Sequence, residues 1–160
     1  MTDEAALAER AEPAGRQYTI VVGVDGSPPS RAALQWAVEQ ARNTGGSVRA
    51  VTAWQYPSSY GYAIPVTDVD WSGIAAKAVT DAITHVRTEG VPVTPEVVHG
   101  NAAQVLIDAS ADADLLVVGS RGHGGFVEAL LGSVGQHCVH HATCPVVVIP
   151  AARSDGEPAR

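Results

Sequence analysis

The chain has 160 residues, of which 46% are hydrophobic and 17% are charged, and its formal net charge is −7. This length suits one domain that buries most of its unfolded surface without needing a disulfide or a metal, and the composition excludes a disordered chain. The acidic balance argues against a nucleic-acid or anionic-membrane surface, because such a surface needs clustered Lys and Arg, and Lys77 is the only lysine.

Cysteine content and the absence of an apolar leader predict the cell compartment. Cys138 and Cys144 are too few for a disulfide framework, and residues 1–16 lack the hydrophobic core of a secretory signal. No apolar run is long enough to span a membrane. We therefore expect a cytoplasmic protein with one domain over residues 17–150, flanked by flexible tails at residues 1–16 and 151–160.

The first half of the predicted domain alternates strands with a helix. Residues 18–24 form a nearly continuous β-branched run, typical of a strand buried on both faces, and residues 25–28 carry turn chemistry. Apolar residues at helical spacing predict a helix over residues 30–42, which a pair of glycines ends. A second strand is predicted over residues 47–54.

A loop rich in tyrosine and proline is predicted over residues 55–66. Its aromatic rings, together with Trp54, have two interpretations: they stack on a bound base, or they cover the sheet edge or a partner surface. The second is favoured. The tyrosines concerned are Tyr56, Tyr60 and Tyr62.

The second half continues the alternation. An apolar stripe that includes Ile74 and Val86 predicts one helix face, and Asn101 is placed to cap the next helix. In chain order we predict a helix from Ile74 to near Gly90, a strand over 92–99, a helix over 102–111, a strand over 114–118, a helix over 133–141 and a strand over 146–149.

The resulting order, βαβαβαβαβ, has crossovers long enough to return each strand parallel to the previous one. Right-handed crossovers then give an α/β fold with an open, doubly wound parallel sheet and helices on both faces.

Ligands of such sheets bind beyond the carboxyl ends of the strands, and two strand ends here carry the residues expected of a binding site. The first strand runs into residues 23–27 (GVDGS), and the fourth into residues 119–125 (GSRGHGG). Gly132 and Ser133 then open the last helix, with Ser133 at a position resembling an N-cap.

These glycines predict phosphate binding by the backbone. Glycine lets the main chain approach a polyphosphate closely, and a helix N-terminus offers unpaired N–H groups at the positive end of its dipole. Gly132, Ser133 and Val134 would then hold phosphates where lysine is scarce. Asp25 has a second interpretation as a cap or Asx turn of the first helix.

Gly119, Gly122 and the pair Gly132-Ser133 have the spacing G-2x-G-9x-G-(S/T), which resembles the motif of ATP-binding universal stress proteins. Residues 23–27 and 144–149 are similar to further segments of that family, so the resemblance covers about residues 18–150.

The resemblance implies strand order 3-2-1-4-5, ATP with Mg²⁺, and a homodimer through the last strand, Val146, Val147, Val148 and Ile149. It implies adenosine near Asp25 and Val51, ribose near Gly119 and phosphates on the glycine motif. The expected site is Val24, Asp25, Gly26, Val51, Gly119, Arg121, Gly122, Gly132, Ser133 and Val134.

Other residues and functions stay open. Arg121 and His123 either reach the triphosphate or are solvated loop residues. His137 and His141, near both cysteines, have a spacing that could hold zinc, but no carboxylate completes a recognisable pattern, so no metal site is predicted.

The function expected is a regulatory nucleotide-binding protein with little or no hydrolysis. The alternatives are a slow ATPase or nucleotidyl-transfer enzyme, a cyclic-nucleotide binder and a nucleotide-free structural dimer. The lysine motif of P-loop enzymes, the kinase motifs and the early GxGxxG of dinucleotide oxidoreductases are all missing.

Overall fold

A computed structural model describes residues 15–57, 68–121 and 131–150. These residues form five strands and four helices, whose order confirms the predicted alternation. The elements are β1 (Thr19–Gly23), α1 (Pro28–Thr44), β2 (Ser47–Trp54), α2 (Trp71–Thr84), β3 (Val93–His99), α3 (Ala102–Ser110), β4 (Leu115–Gly119), α4 (Ser133–His141) and β5 (Val146–Ile149).

The five strands make one sheet in the order β3-β2-β1-β4-β5, and every pair is parallel. This confirms the expected fold class and strand order. The order reverses between β1 and β4, so the ends of these two strands flank the topological switch point. A ligand crevice is expected there.

The core has two layers, one on each face of the sheet. Ile20 and Val22 of β1 face the layer containing α1 and α2, whereas Val21 faces the layer containing α3 and α4. All three side chains are fully buried. The continuous apolar run of β1 thus reflects burial on both faces, as predicted.

Helix α1 begins at Pro28, two residues before the predicted start. Ser27 caps it, because its side chain accepts a hydrogen bond from the Ser30 N–H, and proline is tolerated in the first turn since its missing donor has no intrahelical partner there. Gly45, with φ of 68°, ends the helix in a left-handed conformation.

The prediction for α2 is wrong in two respects. The helix ends at Thr84 rather than near Gly90, and Ile74 lies outside the buried stripe with 56% of its surface exposed. Asp70 caps the helix through the Gly73 N–H. The apolar residues beyond Thr84, such as Val86, pack against the core from the following loop.

Asn101 caps α3 as predicted, but the expected N-cap role of Ser133 is wrong: Gly132 is the N-cap of α4 and Ser133 is its first helical residue. In the part of the chain that the structure describes, no helix is long and apolar enough to cross a bilayer. The predicted tails fall almost entirely outside the described residues.

Candidate functional site

A cavity of about 330 Å³ lies at the switch point. Its walls come from the ends of β1, β2 and β4 and from the starts of α1, α3 and α4. This volume is at the lower end of the range for small-molecule sites.

Eight of the ten residues expected at the site lie together in this cavity. Gly26 does not: it lines a separate groove between α1 and α2 with Arg31 and His85. Gly122 is outside the described residues, as is His123. The expected residues that line the cavity are Val24, Asp25, Val51, Gly119, Arg121, Gly132, Ser133 and Val134.

The N-terminus of α4 forms one end of the cavity. Gln136 donates to the Gly132 carbonyl at 3.0 Å, which places the first turn of the helix at Ser133, Val134 and Gly135. No side chain caps this turn among the described residues, and all three residues line the cavity. Their N–H groups have no acceptor within the helix, so this wall carries the positive end of the helix dipole.

Gly132 is held against the end of β4, since its N–H donates to the Ser120 carbonyl at 2.7 Å. Its φ of −68° is ordinary, and an added Cβ would lie 3.5 Å from the Ser120 oxygen and 3.7 Å from the Arg121 Cα. The backbone fold therefore does not require glycine here. The absent side chain instead keeps cavity space open.

Gly119 is needed for packing. A Cβ there would lie 3.0 Å from both the carbonyl carbon and the Cβ of Pro29, so the end of β4 can approach the start of α1 only without a side chain. The two motif glycines in the described residues thus have different physical roles.

Asp25 follows β1 and also lines the cavity. Its Oδ1 accepts hydrogen bonds from the N–H of Ser27 at 2.9 Å and from the Ser27 hydroxyl. The Asx-turn interpretation is therefore correct, and Asp25 lines the cavity as well.

The edge of β2 extends past the end of β1 into the cavity. Val24 donates to the Val51 carbonyl at 2.9 Å, and the Thr52 hydroxyl donates to the Val24 carbonyl at 2.8 Å. In a parallel sheet, every second residue of a strand directs its N–H and C=O toward the same neighbouring strand. Val51 faces the β1 side of β2, so Ala53 faces that side too. Its N–H and C=O point beyond the end of β1 toward the cavity that it lines.

Sequence reasoning missed several wall residues. The glycine motif marks strand ends and phosphate groups, whereas four of the missed residues, Ala53, Ala102, Leu106 and Val118, supply apolar side chains to the cavity wall. Strand parity from Val51 would have identified Ala53, and the first apolar turn after Asn101 would have identified the contribution of α3. The missed residues are Gly23, Ser30, Ala53, Ala102, Leu106, Val118, Ser120 and Gly135.

The aromatic residues of the predicted loop lie elsewhere, as far as they are described. The Trp54 ring contacts the rings of Tyr56 and His99, with centroids 5.4 and 4.6 Å away, and none of the three lines the cavity. Tyr60 and Tyr62 are outside the described residues. The observed cluster covers the carboxyl ends of β2 and β3.

The histidines and cysteines near α4 separate into two environments. His137 and His141 are exposed, with ring centroids 6.1 Å apart, whereas Cys138 is fully buried. Burial raises the pKa of the Cys138 thiol to about 11. No group of three or more potential metal ligands occurs within residues 15–57, 68–121 and 131–150.

Comparison with known proteins places the chain in a family. The model of the universal stress protein family matches residues 18–150. The chain belongs to the universal stress protein family.

Two universal stress proteins of Mycobacterium tuberculosis (strain H37Rv) are among its curated relatives. One is 35% identical over 134 residues, covering 81% of this chain and 44% of the relative. The other is 34% identical over 149 residues, covering 85% of this chain and 46% of the relative. The chain therefore spans about half the length of these curated relatives.

Solved structures of the family have the same fold. Universal stress protein UspA from Lactobacillus plantarum has a TM-score of 0.68 at 25% identity, covering 84% of this chain and 99% of that one. The universal stress protein from Archaeoglobus fulgidus in complex with dAMP has a TM-score of 0.60 at 26% identity, covering 82% and 97%.

Proposed function

We propose that this universal stress protein binds an adenine nucleotide, ATP with Mg²⁺, in the cavity at the switch point and acts as a cytoplasmic regulatory protein. The observation that carries the proposal is the convergence, in one cavity, of the N-terminus of α4, which no described side chain caps, the Asp25 carboxylate and the part of β2 that extends past the end of β1. The proposed unit is the domain of residues 17–150.

The phosphate end is formed by the first turn of α4. Three consecutive N–H groups, the Ser133 hydroxyl and the helix dipole favour a chain of anionic oxygens without a lysine. Arg121 also lines the cavity, and its Cα lies close to Gly132, so we propose that its guanidinium contributes to phosphate binding. We place Gly122 here too, on the spacing of the motif. Mg²⁺ would be held mainly by the phosphate oxygens.

The nucleoside end is formed by β2 and the apolar wall. The N–H and C=O of Ala53 offer one donor and one acceptor, matching the acceptor and donor that adenine presents on one edge. Val51, Leu106 and Ala102 supply apolar surface for the ring. The complex of the Archaeoglobus fulgidus family member with dAMP supports an adenine nucleotide as ligand.

The chemistry of the walls favours holding the nucleotide over rapid hydrolysis. Among the described wall residues, Asp25 is the only carboxylate, and it lies with the nucleoside end rather than at α4; histidine and lysine do not occur among them. A general base for water attack is therefore not supplied at the phosphates by the described wall.

Mass spectrometry of the purified, denatured protein tests the proposal directly. We expect a co-purified adenine nucleotide, and titration calorimetry on nucleotide-stripped protein should show binding of Mg-ATP. Phosphate release should be much slower than the ~1 s⁻¹ typical of slow ordinary enzymes. If no nucleotide co-purifies and calorimetry shows no binding of Mg-ATP, the proposed function is contradicted.

Gly132→Ala is the variant that tests the phosphate end. Among the described residues the added Cβ meets contacts of 3.5 Å or more, and φ is ordinary, so the fold should be kept while the methyl group intrudes on the cavity. We expect weaker Mg-ATP binding with unchanged circular dichroism. Equal affinity of Gly132→Ala and the parent chain would remove this turn from the binding site.

A further inference from the structure

Hydrogen bonds join three residues, Asp25, Ser27 and Ser30, between β1 and α1. Asp25 Oδ1 accepts from both donors of Ser27, its N–H and its hydroxyl. The Ser30 hydroxyl donates to the Ser27 carbonyl at 2.9 Å and accepts from the Asp25 N–H at 3.3 Å. Ser27 and Ser30 are 3% and 4% exposed, so this arrangement is built into the protein interior.

We infer that Ser27 is a positioning residue for nucleotide binding: its hydroxyl fixes the Asp25 carboxylate in the cavity wall so that the carboxylate meets the nucleoside in one orientation. The inference rests on the proposed function. Asp25 lines the cavity and Ser27 does not, so Ser27 acts on a ligand through Asp25.

The Ser27 hydroxyl makes one hydrogen bond as an acceptor and another as a donor, and the two have different roles. Its oxygen caps α1 by accepting the Ser30 N–H at a long 3.4 Å, and capping needs only this acceptor. Its single proton goes to Asp25 Oδ1 in a much shorter bond. Helix capping does not explain that second bond, which constrains the carboxylate instead.

Ser30 supports the same geometry from the backbone side. By bonding the Asp25 N–H and the Ser27 carbonyl, its hydroxyl fixes the turn that carries the carboxylate. Ser30 also lines the cavity, so its variants would change the ligand wall directly. A Ser27 variant is the better test, because Ser27 does not line the cavity and its substitution leaves the wall residues unchanged.

A fixed carboxylate has a consequence for ligand chemistry. An ionised carboxylate only accepts hydrogen bonds. Asp25 therefore selects ligands that present an N–H or O–H donor at this end, such as the exocyclic amine of adenine or a ribose hydroxyl. A mobile carboxylate would lose part of that selection, because ordering it on binding costs entropy.

The test is a double-mutant cycle on Mg-ATP affinity with Ser27→Gly and Asp25→Ala. Glycine removes the hydroxyl but is tolerated at N-caps almost as well as serine, so α1 should remain formed. We expect Ser27→Gly to weaken binding about tenfold, as for one hydrogen bond to a charged group. In the Asp25→Ala background the same change should have no further effect on affinity.

Two further variants separate positioning from general loss of structure. Ser27→Thr keeps the hydroxyl and should restore affinity. Asp70→Ala removes the N-cap of α2, which does not line the cavity, and should lower the melting temperature without changing affinity.

These experiments distinguish failure of the proposed nucleotide binding from failure of the positioning role of Ser27. If the parent chain does not bind Mg-ATP, the proposed function fails and this inference with it. If the parent chain binds, undiminished affinity of Ser27→Gly overturns the inference alone. So does a tenfold loss that adds fully to the loss in Asp25→Ala.

Discussion

At the scale of single residues, burial controls the reactivity of the two thiols. The pKa of Cys138 is raised to about 11 by loss of solvent, and burial raises the pKa of Cys144 as well. A raised thiol pKa leaves the neutral form dominant: near about pH 8, a thiol with pKa 11 is ionised in only about one molecule in a thousand. Cys138 is also fully inaccessible.

We therefore expect iodoacetamide to leave Cys138 unmodified in the native protein. Cys144, which is partly exposed, should react slowly, and both should react at once in guanidinium chloride. Mass spectrometry of tryptic peptides after timed labelling provides the measurement. Rapid native labelling of Cys138 would show that α4 opens far more readily than its packing suggests.

Gly119 allows a second residue-scale prediction. Since a Cβ there would lie 3.0 Å from the Pro29 backbone, Gly119→Ala must displace α1 or β4, and we expect a loss of about 1–3 kcal/mol in the free energy of unfolding. Gly132→Ala is the matched control and should lose much less. Urea denaturation of both variants tests the contrast. Equal stability of the two would contradict the packing role of Gly119.

Prediction from sequence succeeded at residues whose role depends on local chemistry. Of the two local roles left open for Asp25, a helix cap and an Asx turn, the structure has the Asx turn, whereas Ser27 is the cap; Asn101 caps α3 as predicted. Ala53 and Leu106 were missed because the glycine motif marks only strand ends and phosphate groups, and their place in the cavity depends on how far β2 extends past β1 and on how α3 docks on the sheet.

At the scale of elements, apolar periodicity predicted every strand and helix in the described residues, and β2, α4 and β5 have the predicted bounds. Errors occurred where the chain leaves an element while remaining apolar. Val86 continues the apolar stripe of α2 but packs against the core from the loop after Thr84. Periodicity alone therefore predicted a helix that extends too far. Pro28 and Pro29 are compatible both with a turn and with the first turn of a helix, so the predicted start of α1 was two residues too late.

In addition to its backbone ladder with β2, the edge strand β3 is joined to that strand by an ion pair with two hydrogen bonds. Arg49 of β2 bonds Glu96 of β3 at 2.6 and 3.0 Å, and it also reaches the Ala109 carbonyl of α3. Because both side chains are about 30% exposed, solvent screens the pair. We expect a coupling energy of about 0.5–1 kcal/mol between Arg49→Ala and Glu96→Ala in unfolding experiments.

Added salt should reduce that coupling, because the pair is only partly buried. Measuring the double-mutant cycle at low and at high sodium chloride checks this dependence. A coupling that is absent even at low salt would show that the backbone ladder alone holds β3 to β2.

At the scale of the whole molecule, β5 is the last strand of the sheet, and none of the described residues pairs with its outer side. Leu116 donates to the Pro145 carbonyl and Ser120 to the Ile149 carbonyl, so Val147, between them at the same parity, also faces β4. Val146 and Val148 therefore direct their N–H and C=O groups outward. An apolar strand at the end of a sheet favours pairing with another strand, so we propose the homodimer that the resemblance implies, through Val146, Val147, Val148 and Ile149.

Val148→Pro tests this dimer with little damage to the subunit. Proline removes the outward N–H of Val148, which the ladder to β4 does not use, and edge strands tolerate proline at such positions. Val148→Ala, which trims the side chain but keeps the N–H, is the matched control. Sedimentation velocity should show a dimer for the parent and Val148→Ala, and a folded monomer for Val148→Pro. A dimer that survives Val148→Pro would have to form through another surface, and a monomeric parent chain would rule out pairing through β5 altogether.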